Sequence, residues 1–197
     1  LQEMTYPGTD RTIASVTADK VLAIGENIQI RRFVRFAENT SVGYVHAGGK
    51  IGVLVNLKVE GDIDATAVGK DVAMQIAALN PRFWDKSQVS QDVLDEEKKI
   101  MMAQMANDPK MASKPEQVRE KIVMGKMNKF YEENCLLQME FVRGDLFSGT
   151  VEQYIADAGK KLGGSVKFLT AVRYQTGEGI EKKQENFAEE IASMIKG

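Results

Sequence analysis

The sequence predicts an α+β fold, and three observations carry that prediction. KIGVLVNLKVE alternates strictly, with Ile51, Val53, Val55, Leu57 and Val59 on one side of a strand. DATAVGKDVAMQIAALNP instead repeats its apolar residues at helical spacing, with Val68, Val72, Ile76 and Leu79 on one face. Strands and helices then follow one another as αβ, ββα, a helical hairpin, αβ and a last helix. That order builds an antiparallel sheet lobe covered by helices, with an inserted antiparallel helical hairpin and a C-terminal helix. A chain of 197 residues that is 43% hydrophobic can bury one sizeable core and a small second unit.

Taken in order, Ile13, Val16, Val21 and Ile24 form a modest helical stripe that stops at Gly25. IQIRRFVRF follows, where Ile28, Ile30, Val34 and Phe36 alternate with polar positions and predict a strand. VGYVHA and KIGVLVNLKVE, separated by Gly48-Gly49, predict a β-hairpin. The helix after it ends at Asn80-Pro81, since proline disfavours helix in the residue before it. From about Ser90 the composition becomes charged and rich in methionine. QDVLDEEKKIMMAQMAND and KPEQVREKIVMGKMNKFYEEN predict two helices of an antiparallel pair, with Ser113 and Glu116 as a capping box for the second. Methionines 101, 102, 105, 111, 124 and 127 are expected to pack between those helices, the alternative being an adaptable docking surface.

CLLQMEFV reads as a short strand, and Thr150 as the N-cap of a helix with Val151, Tyr154, Ile155, Ala158 and Leu162 inward, stopped by Gly163-Gly164. SVKFLTAVRY places Val166, Phe168, Val172 and Tyr174 on one side of a strand. GIEKKQENFAEEIASMIKG completes the chain as a helix with Ile180, Phe187, Ile191, Met194 and Ile195 inward.

Composition removes several chemistries. With 26 basic and 28 acidic residues, there is no general electrostatic reason to expect nucleic acid or an anionic membrane as the main partner. No apolar run approaches the roughly 20 residues that span a bilayer, and LQEMTYPGTDRT lacks signal-peptide features, so a soluble compartment is expected. One histidine and one cysteine cannot supply a four-ligand zinc site, a Cys-x-x-Cys pair or an internal disulfide. No metal or cofactor is therefore expected. A nucleophilic hydrolase would have to use His46, and no Gly-x-Ser-x-Gly elbow accompanies it. Acid-base work by carboxylates leaves no spacing signature and stays open.

Two glycine stretches imitate nucleotide loops. After Gly43 and Gly48 a phosphate loop needs lysine, but Gly49 stands there and Lys50 is followed by Ile51, which opens a strand. In Thr176-Gly177-Glu178-Gly179, Lys182 occupies the third glycine position of a dinucleotide fingerprint. Glu178 and Glu181 there suit a helix start, not a phosphate.

GENIQIRRF, YVHAGGKIGVLV, DVAMQIAALNP, EKIVMGKMNKF and GEGIEKKQENFAEEI, in this order and spacing, closely resemble elongation factor Ts, the family of guanine-nucleotide exchange factors for elongation factor Tu. The resemblance covers almost the entire chain. It implies two related α+β lobes, a protruding antiparallel coiled coil and a C-terminal docking helix. On that basis residues 1–38 are a helix-strand remnant of the N-terminal lobe, and 39–90 with 134–175 form the C-terminal lobe. Residues 91–133 are then the inserted helical hairpin and 176–197 the docking helix.

The family usually also has a small N-terminal helical domain and a Thr-Asp-Phe-Val segment. Here Thr9-Asp10 is followed by Arg11-Thr12, so that segment's role is not carried over, and the chain is expected to be a shortened form. A strand at 28–36 without its neighbours would leave an open edge with Phe33 exposed, which invites a homodimer.

His46 is the residue on which residue-level reading and resemblance meet. A two-residue turn sets His46 opposite Ile51, on one face with Tyr44 and Val53 but near the hairpin tip. The residues alone leave open a half-buried histidine that packs at the sheet end and a contact. The resemblance implies a contact with the partner near its phosphate-binding region. It makes His46 the first partner-binding candidate, with Tyr44, Gly48 and Gly49 shaping the tip and Phe187 and Ile191 docking from the C-terminal helix. The expected partner is elongation factor Tu, with no membrane and no direct nucleic-acid contact, in the bacterial cytoplasm or an organellar matrix or stroma. Three functions stand: an exchange factor that is not itself an enzyme; a binding module with little exchange, because Asp-Phe is lacking; and an unrelated carboxylate enzyme.

Overall fold

Alternating residues between 40 and 60 form the centre of the molecule. The computed structural model describes residues 1–180, which divide into two compact units, Leu1–Arg35 and Phe36 onward. In the second unit, β1 (Thr40–His46), β2 (Ile51–Glu60) and β3 (Ser165–Gln175) make an antiparallel sheet in the order β1-β2-β3. One face of that sheet is covered by α2 (Thr66–Leu79), lying against β1 and β2, and by α6 (Val151–Lys161), lying against β3. The architecture is α+β.

The core explains the order. Val53, Val55 and Leu57 of β2 are buried with Val68, Val72 and Ile76 of α2 and Val151, Tyr154 and Ile155 of α6. Gly69 of α2 lets the helix lie directly on β1, because a Cβ there would sit 2.5 Å from Val42 Cγ2. Asn80 closes α2 in the left-handed conformation, donating its N–H to Ile76 O. Thr150 caps α6 through a full capping box with Gln153. The fully buried Gln75 amide ties α2 to the chain beyond the helical pair, donating to Glu140 O at 2.9 Å and accepting from Val142 N at 2.8 Å.

Between α2 and α6, the chain leaves the sheet as α3 (Gln91–Asn107), the single turn α4 (Pro109–Ala112) and α5 (Glu116–Asn134). A second core holds α3 and α5 together, with Met105, Val123, Met127 and Phe130 buried and Met101, Met102 and Met111 packed against it. Met124 stands apart from them, 69% exposed. The pair is fixed at its root by a short ribbon in which Arg82 and Phe83 both donate backbone N–H to Asn134 O. The Arg82 guanidinium lies over the Phe83 and Phe130 rings.

In the first unit, α1 (Ile13–Ile24) is capped by the Thr12 hydroxyl and closed by left-handed Gly25. Helix α1 buries none of its residues.

Four expectations are corrected. Residues 28–36 form no strand: the alternation is present, but within Leu1–Arg35 no neighbouring strand exists to take up the backbone N–H and C=O groups. The edge-strand ground for self-association falls with it. CLLQMEFV is a 3₁₀ turn at Leu136–Gln138 held by single bridges, Phe83 with Cys135 and Glu140 with Thr150. Ser113 does not cap α5; its hydroxyl donates to Lys110 O, while Pro115 occupies the N-cap position. The phase of β3 changes midway. Asn56 pairs with Thr170 but Leu57 with Phe168, so Leu169 is an extra, bulged residue. Beyond it, Ala171 and Arg173 share the helix-covered face, and Val172 and Tyr174 turn to the other.

Candidate functional site

The β1–β2 turn is built by its glycines. Gly48 has φ 64° and ψ 32° and Gly49 has φ 96°, left-handed values that glycine adopts without strain, while Lys50 is right-handed helical, so the connection is a four-residue loop, Ala47–Lys50, and not the two-residue turn expected. Lys50 donates its backbone N–H back to Ala47 O at 3.4 Å. Ala47 also adopts a positive φ, 51°, a conformation that costs a residue with a Cβ about 1–2 kcal/mol. Around this turn His46 pairs with Ile51 and Tyr44 with Val53, the register expected from the glycine pair.

Each strand pair extends into a row across the sheet. The last row is His46, Ile51 and Gln175; the row behind it is Tyr44, Val53 and Arg173; the third, Val42, Val55 and Ala171, lies buried beneath α2. His46 and Tyr44 are half-buried, at the place where the covered face opens to solvent. The Tyr44 hydroxyl lies 2.9 Å from His46 Nδ1, and the two rings are 5.8 Å apart between centroids, tilted by 36°. Arg173 was not foreseen here, because the bulge at Leu169 puts it on this face. Its guanidinium donates to Gln175 Oε1 at 2.9 Å and reaches Ala77 O, among the last carbonyls of α2, at 3.5 Å. Lys50 adds a second cation at the turn, and its carbonyl accepts from Thr176 N at 2.8 Å.

Four expected site residues, His46, Tyr44, Gly48 and Gly49, thus come together at one hairpin tip. Phe187 and Ile191 lie outside the described residues. The tip offers donors, cations and an aromatic ring at an exposed turn, which suits contact with oxygen-bearing groups of another molecule.

Elsewhere the groups are structural. Burial pushes the Cys135 thiol up to about 11. The Tyr154 phenol is raised by burial and by its hydrogen bond to Asp71, and it stacks on Phe141. A cavity of about 340 Å³ between α6 and β3, lined by Leu137, Ile155, Val166 and Phe168, lies at the end of the sheet away from the tip, with Glu152 as the carboxylate on its wall. Lys160 and Lys167 share that wall with Glu152, and no second carboxylate stands there to pair with it. Among the described residues, no cluster of three or more His, Cys, Asp or Glu could hold a metal ion, and no helix is long and apolar enough to cross a membrane.

Comparison with known proteins agrees with the sequence motifs. The family model for elongation factor Ts matches residues 1–178. Elongation factor Ts of Clostridium kluyveri is 41% identical over 202 residues, covering 100% of this chain and 64% of the relative. That of Syntrophotalea carbinolica is 42% identical over 201 residues with the same coverage, and that of Clostridioides difficile 40% over 187 residues, covering 94% and 60%. The chain therefore spans a little under two thirds of the length of these curated relatives. With the match running through the hairpin, the helical pair and β3, the chain belongs to the elongation factor Ts family of translation elongation factors.

Proposed function

We propose that this chain promotes release of GDP from elongation factor Tu through protein–protein contact, with the β1–β2 tip as the part that meets the partner's nucleotide-binding domain. The carrying observation is the position of His46: the one histidine of a chain in this family, hydrogen-bonded to Tyr44 beside the turn at the open end of the sheet. Gly48 and Gly49 allow a partner backbone to approach closely, since a Cβ would meet nothing within 4 Å at either position. Phe187 and Ile191 are assigned to docking on the strength of the resemblance. The compartment proposed with this role is the bacterial cytoplasm, or an organellar matrix or stroma if the source is a eukaryote.

The mechanism is a competition of equilibria in which no bond of GDP is made or broken. A protein that binds nucleotide-free elongation factor Tu more tightly than the GDP-bound form must weaken GDP binding by the same factor. His46 contributes by taking a hydrogen-bonding place near the phosphate-binding region. A second reading is that the 197 residues hold elongation factor Tu yet exchange poorly on their own, because no Thr-Asp-Phe-Val segment occurs within them; Thr9-Asp10 are followed by Arg11-Thr12. Release of fluorescent GDP from elongation factor Tu, followed with and without the chain, separates the readings. Acceleration establishes exchange, co-elution without acceleration establishes binding alone, and neither at micromolar protein removes both.

A further inference from the structure

Tyr44 and His46 stand two residues apart on β1 and so share a face, which brings the phenol 2.9 Å from Nδ1. One proton occupies that contact. A phenol O–H is a good hydrogen-bond donor and a bare imidazole nitrogen a good acceptor. The phenol oxygen is also a weak acceptor, because its lone pair is delocalised into the ring. These strengths favour the arrangement in which the Tyr44 O–H donates to Nδ1 over the reverse, in which Nδ1–H donates to the phenol oxygen. In the favoured arrangement the single N–H of a neutral imidazole is on Nε2. Among the described residues no hydrogen bond reaches Nε2, and Tyr44 makes no other through its hydroxyl.

We propose that Tyr44 is a positioning residue that acts through His46: it holds the ring in the Nε2–H tautomer and in one orientation, so that the tip presents a neutral N–H donor to an oxygen acceptor. The acceptor is either a backbone carbonyl of the partner or a phosphate oxygen of its nucleotide. This rests on the exchange reading above. Locking matters because affinity falls in proportion to the fraction of molecules in the competent state, and a ring free to choose tautomer and rotamer divides that population. Hydrogen bonding of the second ring nitrogen is what fixes the first.

The single histidine makes the test unambiguous, since nitrogen-15 labelling of histidine gives one pair of ring resonances. At about pH 8 the wild-type chain is expected to show a protonated Nε2 and a bare Nδ1. Tyr44→Phe is expected to show both tautomers in exchange. A proton on Nδ1 in the wild type, or the same tautomer in Tyr44→Phe, overturns the proposal. This readout needs no partner and stands whether or not the exchange reading does.

In GDP release from elongation factor Tu, Tyr44→Phe is expected to be about fivefold slower, the worth of one neutral hydrogen bond. His46→Gln, whose amide N–H reaches toward the Nε2 position, is expected to retain more activity than His46→Ala. A wild-type chain that accelerates release with Tyr44→Phe equal to it removes the positioning role. A wild-type chain that fails to accelerate release removes the exchange reading instead. If affinity for nucleotide-free elongation factor Tu falls in His46→Ala, the acceptor is a protein carbonyl; if the defect appears only with GDP bound, it is a phosphate oxygen.

Discussion

Gly69→Ala tests the packing that holds β1, and with it the functional tip, against α2. The added Cβ would lie 2.5 Å from Val42 Cγ2, 2.7 Å from Val42 Cβ and 3.1 Å from Val42 Cγ1. Ordinary carbon contacts begin near ~3.5 Å, so about 1 Å must be found. Rotating Val42 cannot supply it, because its Cβ is itself too close and the residue is 5% exposed. Either α2 lifts from the sheet or β1 shifts. Overpacking of this kind costs up to about 3 kcal/mol, and replacing glycine inside a helix returns about 1 kcal/mol, leaving a net loss of about 2 kcal/mol. For a chain of this size that lowers the melting temperature by about 4–8 °C. Gly125→Ala in α5 is the matched control, since its Cβ would meet nothing within 4 Å. It should gain about 1 kcal/mol and melt about 2–4 °C higher. Thermal unfolding followed by circular dichroism reads both. Gly69→Ala as stable as the wild type would refute the close approach of α2 to β1.

Two further outcomes follow from buried or hydrogen-bonded groups. Cys135 is fully buried and its thiol is pushed up to about 11, so a thiol reagent at neutral pH should label it slowly in the native chain and promptly in denaturant; prompt native labelling would contradict its place in the second core. Asp85 accepts from Ser87 N at 2.9 Å and, through its other oxygen, from Gln138 Nε2 at 3.0 Å, and these bonds, Ser87 first, lower its carboxyl below the usual range. A lowered folded pKa gives stability that is full above the unfolded carboxylate value and is lost as pH falls through the folded one. The melting-temperature gap between wild type and Asp85→Asn should therefore be open at neutral pH and narrow below about pH 4; a gap independent of pH would rule out the carboxylate as its cause.

What could be read in the sequence was local. Gly48-Gly49 marks a tight reversal midway between the two strands, and a reversal centred there sets His46 opposite Ile51 and Tyr44 opposite Val53. Thr150 announces the start of α6 for the same reason, since the backbone N–H it caps lies three residues on; the reciprocal bond from Gln153 is what the structure adds. The misreadings needed information from elsewhere in the chain. Residues 28–36 alternate like a strand, but a strand exists only with a neighbour to bond to. Leu169 looks like any apolar strand residue, yet Asn56 and Leu57 on the facing strand make it a bulge, and that carries Arg173 to the tip. Ser113 and Glu116 have capping-box spacing, but Pro115 between them fixes the backbone before the helix begins. The Tyr44–His46 hydrogen bond was implicit in their two-residue spacing; its geometry was not.

The central claim, that the hairpin tip acts on a nucleotide held by another protein, is tested most directly by His46→Ala measured for stability and for GDP release from elongation factor Tu. The ring is half-buried with one hydrogen bond to Tyr44, so its removal should cost about 1 kcal/mol and lower the melting temperature by about 2–4 °C. Release stimulated by the chain should fall about fivefold if the acceptor is a backbone carbonyl and roughly tenfold or more if it is a phosphate oxygen. A large fall in melting temperature with release unchanged would make His46 a packing residue and contradict the claim.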